Sequence, residues 1–360
     1  MPEASFAKTH VSGRVRVSVR AMTPVCYTHR MRGPLVALFL GLGAIAWIAS
    51  SVGCARTDAS RAAPPPIASI ASNACVPTPP SSSPFELVVL GSGGPRGLGR
   101  AASGYVVLVD GVARVLVDVG PGAFVRIGEM GIDYHHLDTI LVTHLHVDHS
   151  GDLPGFVKSR DLTYDEPLTF RIAGPSGGGV YPSMTTFVDR LFGPQGAFAY
   201  LPKFRNELHL EVTDLPITPD APIHEIMREG DLLVTSIAVD HADVPAVAYR
   251  IERAGHAVVV SGDLASKNDN LARLAAGADL LVYDTAVLDP PGSPANLYQL
   301  HTPPKRIGEV ATGARVRSLL LSHLAPNIEK AAAAVLASVR TSYAGPVRFA
   351  SDCLRIDLAK

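Results

Sequence analysis

The segment Thr143 to Asp152, THLHVDHSGD, constrains this 360-residue chain more than any other. It continues the apolar, β-rich run DTILVTH, Asp138 to His144, which reads as a strand ending on a histidine. His144, His146, Asp148 and His149 therefore cluster just after a core strand. Imidazole and carboxylate groups suit zinc and similar divalent ions. Packed beside a core strand without partner or metal, such groups carry a heavy desolvation cost. The competing reading is an exposed polar loop with coincidental histidines. It fails because the same chemistry recurs downstream at other strand ends.

The later groups are His241 in VDHADVPAVAYRI, Asp263 in VVVSGD and His323 in LLLSHLAP. Each follows a β-rich run, and polar residues at strand ends converge in clefts above a core. The seven side chains allow two ions. His144, His146 and His241 would hold one, and Asp148, His149 and His323 the other, with Asp263 between them. A bridging hydroxide would complete such a pair and attack an electrophile.

The same alternation of strand and helix runs through the body from Phe85 onward. FELVVLGSG, SGYVVLVD and RVLVDVG read as strands with glycine breaks, and residues 121–131 as a short helix. LLVTSIAV, AVAYRIER, AVVVSGD, DLLVYDT and VRSLLLSH continue the strands, and VRFASDCLRIDL closes them. NDNLARLAAGA, PPKRIGEVATGA and EKAAAAVLASVR read as helices. Two mixed sheets inside outer helices follow from this order.

On these residues the chain resembles the metallo-β-lactamase-fold hydrolases, and among them the ribonuclease Z-like branch. LGSGGPRGLGRAASG is similar to that branch's opening loop, THLHVDHSGDLPG to its signature box, and HADVPAVAYRIE, SGD and SHLAP to its later metal boxes. The resemblance spans residues 87–358. It implies an α/β fold, a four-layer αββα sandwich, with His144, His146, Asp148, His149, His241, Asp263 and His323 on two divalent ions, zinc by type. His301 in YQLHTPPKR matches the branch's leaving-group loop, where a histidine can protonate a departing oxygen; the competing reading is a loop histidine capping the next helix. Asp284 in YDTA would orient His301 or cap a strand. The resemblance places Asp118 behind a ligand histidine. Asp152 is expected to brace the ligand loop. His135, His136, His209, His224 and His256 are expected to face solvent.

The N-terminus has a different character. Leu35 to Ala49, LVALFLGLGAIAWIA, follows Arg30 and Arg32 and precedes SSVGC. That is the order of an export signal, short for a relaxed membrane span. Ser51 to Cys54 resembles a lipoprotein box, and Met31 would make a signal start of ordinary proportions. Residues 1–54 are thus read as signal or anchor. Residues 55–84, rich in Pro, Ser and Ala, are read as a tether. The catalytic body occupies residues 85–360. Cys75 lies in the tether, and spacing does not pair it with Cys353 in preference to a free thiol. The expected location is the periplasm or cell surface, with membrane attachment through the N-terminal segment.

Charge bears on the substrate. Lys and Arg number 32 against 33 Asp and Glu, so nothing draws the whole surface to nucleic acid or anionic membrane. In ribonuclease Z a basic arm grips transfer RNA. Residues 170–230 could hold such an arm, but Lys203, Arg205 and Arg228 face Glu207, Glu211, Asp214, Asp220, Glu225, Glu229 and Asp231. Tyr181, Phe187, Phe192, Phe198 and Tyr200 could instead wall an apolar cleft. The expected activity is hydrolysis of a small ester, a phosphodiester first, with aryl sulfate or lactone as alternatives. Nucleic acid is not expected as a partner, and a homodimer is compatible. Cleavage of precursor transfer RNA and a non-catalytic metal-binding module are the remaining alternatives.

Overall fold

The structure is a computed structural model that describes residue 75, residues 82–97 and residues 99–360. The signal-like run, Cys54 and most of the tether lie outside the described residues. Among the described residues, no helix is long and apolar enough to cross a membrane.

Two seven-stranded sheets form the centre. The first contains β1 (Phe85–Gly91), β2 (Gly104–Val109), β3 (Val112–Val119), β4 (Thr139–Leu141), β5 (Leu168–Pro175) and β6 (Leu208–Leu215). The second contains β7 (His224–Glu229), β8 (Leu232–His241), β9 (Val244–Arg253), β10 (His256–Val260), β11 (Leu280–Asp284), β12 (Ser318–Ser322) and β13 (Val347–Phe349). The last strand, β14 (Leu354–Asp357), returns to the first sheet and pairs with β1, giving the order β14-β1-β2-β3-β4-β5-β6 beside β13-β12-β11-β10-β9-β8-β7.

The strands read as near-continuous apolar runs because both of their faces are buried. Leu87, Tyr105 and Val117 point inward and meet Tyr249, Val258, Val282 and Leu320 of the second sheet. Their neighbours Val88, Val106 and Leu116 point outward. They pack on Ile127 of α1 (Ala123–Glu129), Phe156 of α3 (Leu153–Thr163) and Val188 of α4 (Met184–Phe192). On the far side Val259, Leu281 and Leu321 meet Leu271 of α5 (Asn270–Leu274), Ile307 of α6 (Pro304–Gly313) and Val335 of α8 (Ala332–Val339). Three apolar seams therefore separate four layers, as expected for the αββα sandwich. Each fully buried Leu or Val in them contributes roughly 1.5–3 kcal/mol.

Several expectations need correction. Residues 170–230, whose charge balance argues against a basic arm and whose sequence does not read as strands, supply β5, α4, β6 and β7, with β6 and β7 each forming one edge of a sheet. The helix expected over Asn268 to Ala278 shortens to α5, and Gly277 beyond it has a φ of 66°. EKAAAAVLASVR divides at Ala331 between α7 (Pro326–Lys330) and α8.

Cys75 is disulfide-bonded to Cys353, across a sequence separation of 278 residues. The bond ties the start of the described chain to the turn before β14, with Cys75 packed on the outer core of the first sheet. Such a long closed loop restricts the unfolded ensemble, and removing it typically costs about 2–5 kcal/mol. Cys75→Ser is therefore expected to lower the melting temperature by roughly 4–10 °C. Reductant should lower that of the wild type but leave the variant unmoved; equal melting curves would remove the stabilising role.

Candidate metal centre

The topology delivers the polar groups to one edge. β10, β11 and β12 are parallel, with Val260 beside Val282 and Asp284 beside Ser322. Asp263, Asp284 and His323 consequently emerge from neighbouring C-terminal ends. The first sheet brings His144 just after β4, and the short helix α2 (Val147–Ser150) carries Asp148 and His149. The sheets are joined here: Val247 N–H donates to the Thr143 carbonyl at 2.9 Å, and His144 bridges Ala246. That junction sets His144 beside His241, with ring centroids 4.8 Å apart.

All seven expected side chains converge. His144, His146 and His241 present ligand atoms within 4.8 Å of one another, and so do Asp148, His149 and His323. Asp263 groups with His144 and His149 on one side and with His301 and His323 on the other. His144 Nε2 and His146 Nδ1 lie 2.9 Å apart, so these two nitrogens face the same space.

Outer partners fix which nitrogen is free. His241 Nδ1 donates to the Leu300 carbonyl at 2.8 Å, and His149 Nδ1 donates to Asp118 Oδ2 at 2.7 Å. Thr143 Oγ1 spends its hydrogen on Asp118 at 2.9 Å and can therefore accept from His144 Nδ1 at 3.1 Å. Each of these three rings is left with a bare Nε2 toward the cluster. Asp118 also accepts from the Thr143 amide, and does so from a positive φ of 57°. A strained backbone at such a position is what a demanding site retains.

The residues fit divalent metal. His149 Nε2, His241 Nε2 and Asp263 Oδ1 are buried without a hydrogen-bond partner, a costly state unless something positive lies between them. Burial opposes a charge on His149, yet Asp263 and Asp118 hold its pKa well above the ordinary value. Burial likewise opposes the Asp263 carboxylate, but facing His323 and His149 keep it well below the usual range. Burial pushes His241 down to about 4 and His144 well below normal, which leaves both as neutral donors. His144 and His241 thus offer neutral imidazoles and Asp263 an anionic oxygen, and the raised pKa of His149 marks the same spot as one that draws positive charge.

His301 stands apart from that set. Its Nδ1 donates to Asp284 Oδ2 at 2.8 Å, and both residues are buried. Burial raises the Asp284 carboxyl to about 6. Burial disfavours the charged ring of His301, but the Asp284 bond and the Asp263 charge outweigh it and raise its pKa to about 9. His301 and His323 line a cavity of about 510 Å³ that also carries Arg96 and Lys330 and no carboxylate. Gly94 forms part of the same wall; a Cβ there would lie 2.7 Å from His323 Cε1, so only glycine leaves the ring its place.

Other expectations fare differently. Asp152 accepts from the Gly122 amide at 2.7 Å, so it holds the turn before α1 as well as starting α3. His136 and His209 are exposed, but His135 meets Glu166 and stacks on Tyr164 at 4.5 Å, and His256 lies 3.4 Å from Asp279. His224 is half-buried in β7. The apolar wall does not form as expected. Phe187, Phe192 and Phe198 pack into the outer core, Tyr200 meets Phe204 edge to face at the surface, and Tyr181 alone of the five reaches the cluster. Sequence reasoning missed Asp352. It accepts from the Ser92 amide and hydroxyl, the Ala101 amide and Arg126, and so anchors both ends of the loop beside His323.

Residues 113–324 match the family described as the beta-lactamase superfamily domain, and the chain belongs to the metallo-β-lactamase superfamily, in its ribonuclease Z-like branch. It is 29% identical over 259 residues to Ribonuclease Z of Mycobacterium sp. strain KMS, covering 68% of this chain and 85% of that protein. The human tRNase Z, short form, aligns with a TM-score of 0.59 at 21% identity, over 76% of this chain and all of that one (100%). A diphosphatase from the PhnP family aligns at 0.51 and 18% identity, over 76% and 97%. The two structural likenesses carry the fold. Family and site together make this a protein of a metal-dependent hydrolase superfamily.

Proposed function

We propose that the protein is a phosphodiesterase in which His301 protonates the departing oxygen. The observation that carries this reading is the buried His301–Asp284 pair beside Asp263 and His323. Two divalent ions, zinc by the nitrogen-rich donor set, would be held by His144, His146 and His241 and by Asp148, His149 and His323, with Asp263 shared. When bound, such a pair acidifies water and neutralises charge on the ester oxygens. The chain's own groups do the rest. Asp148 Oδ2 and His323 Nε2 lie 3.1 Å apart and face the same space, so Asp148 can serve an ion through that oxygen and orient the attacking water with the other. Asp284 keeps His301 protonated near neutral pH, and the Nδ1 bond leaves Nε2–H as the proton to be given up. The cationic cavity supports an anionic ester, which favours a phosphodiester over a lactone.

Two substrates share that bond. Relatives named Ribonuclease Z support precursor transfer RNA and weigh against the expectation that nucleic acid is not a partner. The Cys75–Cys353 disulfide supports an exported enzyme acting on a small diester, since such bonds persist in oxidising compartments. In that reading residues 1–54 direct export and the stretch from residue 55 up to Cys75 tethers the catalytic body, since Cys75 is already fastened to it. One zinc-loaded preparation assayed on a bis-aryl phosphate, an alkyl phosphodiester, an aryl sulfate, a lactone and precursor transfer RNA tests both. Cleavage confined to the lactone or sulfate would overturn the phosphodiesterase reading, and exclusive cleavage of the transfer RNA would decide against the small diester.

A further inference from the structure

His146 presents Nδ1 to the cluster and turns its other nitrogen outward, where Nε2 lies 3.3 Å from the Tyr181 hydroxyl. A neutral imidazole that uses the Nδ1 lone pair for a metal carries its hydrogen on Nε2. Tyr181 Oη must then accept from His146. A phenol that accepts this bond keeps its own hydrogen free to point elsewhere.

The turn that carries Tyr181 holds it there. Gly178 and Tyr181 exchange both backbone bonds, at 3.1 and 3.0 Å. Gly177 has no room for a side chain, since a Cβ would lie 2.5 Å from the Ser183 nitrogen. A Cβ on Gly178 would lie 3.2 Å from Pro245, so the turn is braced on β9, just past the hairpin that presents His241. The Tyr181 ring meets His146 at 6.0 Å and 62°, while the residue stays half-buried. Its neighbour Val180 is 90% exposed. The phenol thus sits between the cluster of candidate ligands and open solvent.

We propose that Tyr181 contacts the substrate, accepting from His146 Nε2–H and donating its own hydrogen to a non-bridging oxygen of the bound ester. This rests on the phosphodiesterase reading for the identity of the ester. It assigns to a residue outside the seven ligands and the His301 pair a role in holding the anionic centre. A donor aimed at such an oxygen is useful because it needs no reorganisation when charge develops there.

Tyr181→Phe keeps the ring and removes only the hydroxyl. In the zinc-loaded full chain it is expected to lower turnover of the bis-aryl phosphate about 10- to 100-fold. The inhibition constant of inorganic phosphate, or its dissociation constant by calorimetry, should weaken about tenfold. Zinc content and zinc affinity by chelator competition should match wild type. Unchanged phosphate binding with unchanged turnover would overturn the proposal. A loss of zinc affinity sufficient to explain the turnover would also overturn it and leave Tyr181 a brace for His146. A wild type that binds no phosphate would overturn it as well. If the wild type binds phosphate but cleaves no phosphodiester, the functional reading falls, and the calorimetric comparison still decides for or against Tyr181.

Discussion

Asp263→Ala is expected to strip the purified chain of most of its metal and to cut turnover about a thousandfold or more. Asp263 Oδ1 lies 3.5 Å from His149 Nε2, and Oδ2 lies 3.3 Å from His323 Nε2. Its carboxylate is buried and has no exposed alternative to these contacts. Removing it takes negative charge from the point where both halves of the donor set meet. Two-metal centres supply several kcal/mol of charge stabilisation, and each 1.4 kcal/mol is tenfold in rate. His323→Ala should behave differently, since His144, His146 and His241 remain complete. Elemental mass spectrometry after mild dialysis should give about two ions for the wild type, about one for His323→Ala and close to none for Asp263→Ala. Two retained ions in Asp263→Ala would show that this carboxylate is not shared.

His301→Ala should divide substrates by their leaving groups. Removing a general acid typically costs about 100- to 10,000-fold, and most where the departing oxygen is a poor leaving group. An alkyl phosphodiester should therefore lose most of its turnover, while a nitrophenyl ester, whose phenolate leaves unaided, should lose little. Metal content should stay normal, because His301 Nδ1 is engaged with Asp284 and lies 3.9 Å from Asp263. Asp284→Asn should show a weaker form of the same division, since it removes the charge that keeps the ring protonated. Equal losses for good and poor leaving groups would reject the acid role and leave His301 a positioning residue.

The centre was legible in sequence because its groups sit where apolar strands stop. His144, Asp263 and His323 each follow a run whose two faces are buried, and His241 ends such a run, so local pattern alone located them. The sheet edges were not legible. β6 and β7 alternate buried or half-buried positions with exposed Glu211, Asp214, Glu225 and Arg228. Charged residues on an edge strand discourage pairing with another chain, and they also erase the apolar signal that identifies a strand. That is why the charges in residues 170–230 counted against a basic arm without revealing that the segment forms edge strands. The Cys75–Cys353 pairing was hidden for another reason: Cys75 lies in a stretch with no periodicity, and only tertiary structure brings it to Cys353. Tyr181 was legible as an aromatic near the cleft but not as a partner of His146. Its placement depends on a two-way glycine turn braced by Pro245, which no periodicity encodes.

The bond from Val247 to Thr143 fastens the two sheets at one point, and the donor set is divided across that seam. His144, His146, Asp148 and His149 come with the first sheet, while His241, Asp263 and His323 come with the second. Neither layer alone holds enough ligands for the pair. Bound ions would therefore act as a clasp, adding their binding energy to the docking of the layers. On the proposed reading, a nascent or half-folded chain would have no cutting edge, because hydrolytic competence would arrive only when the layers close.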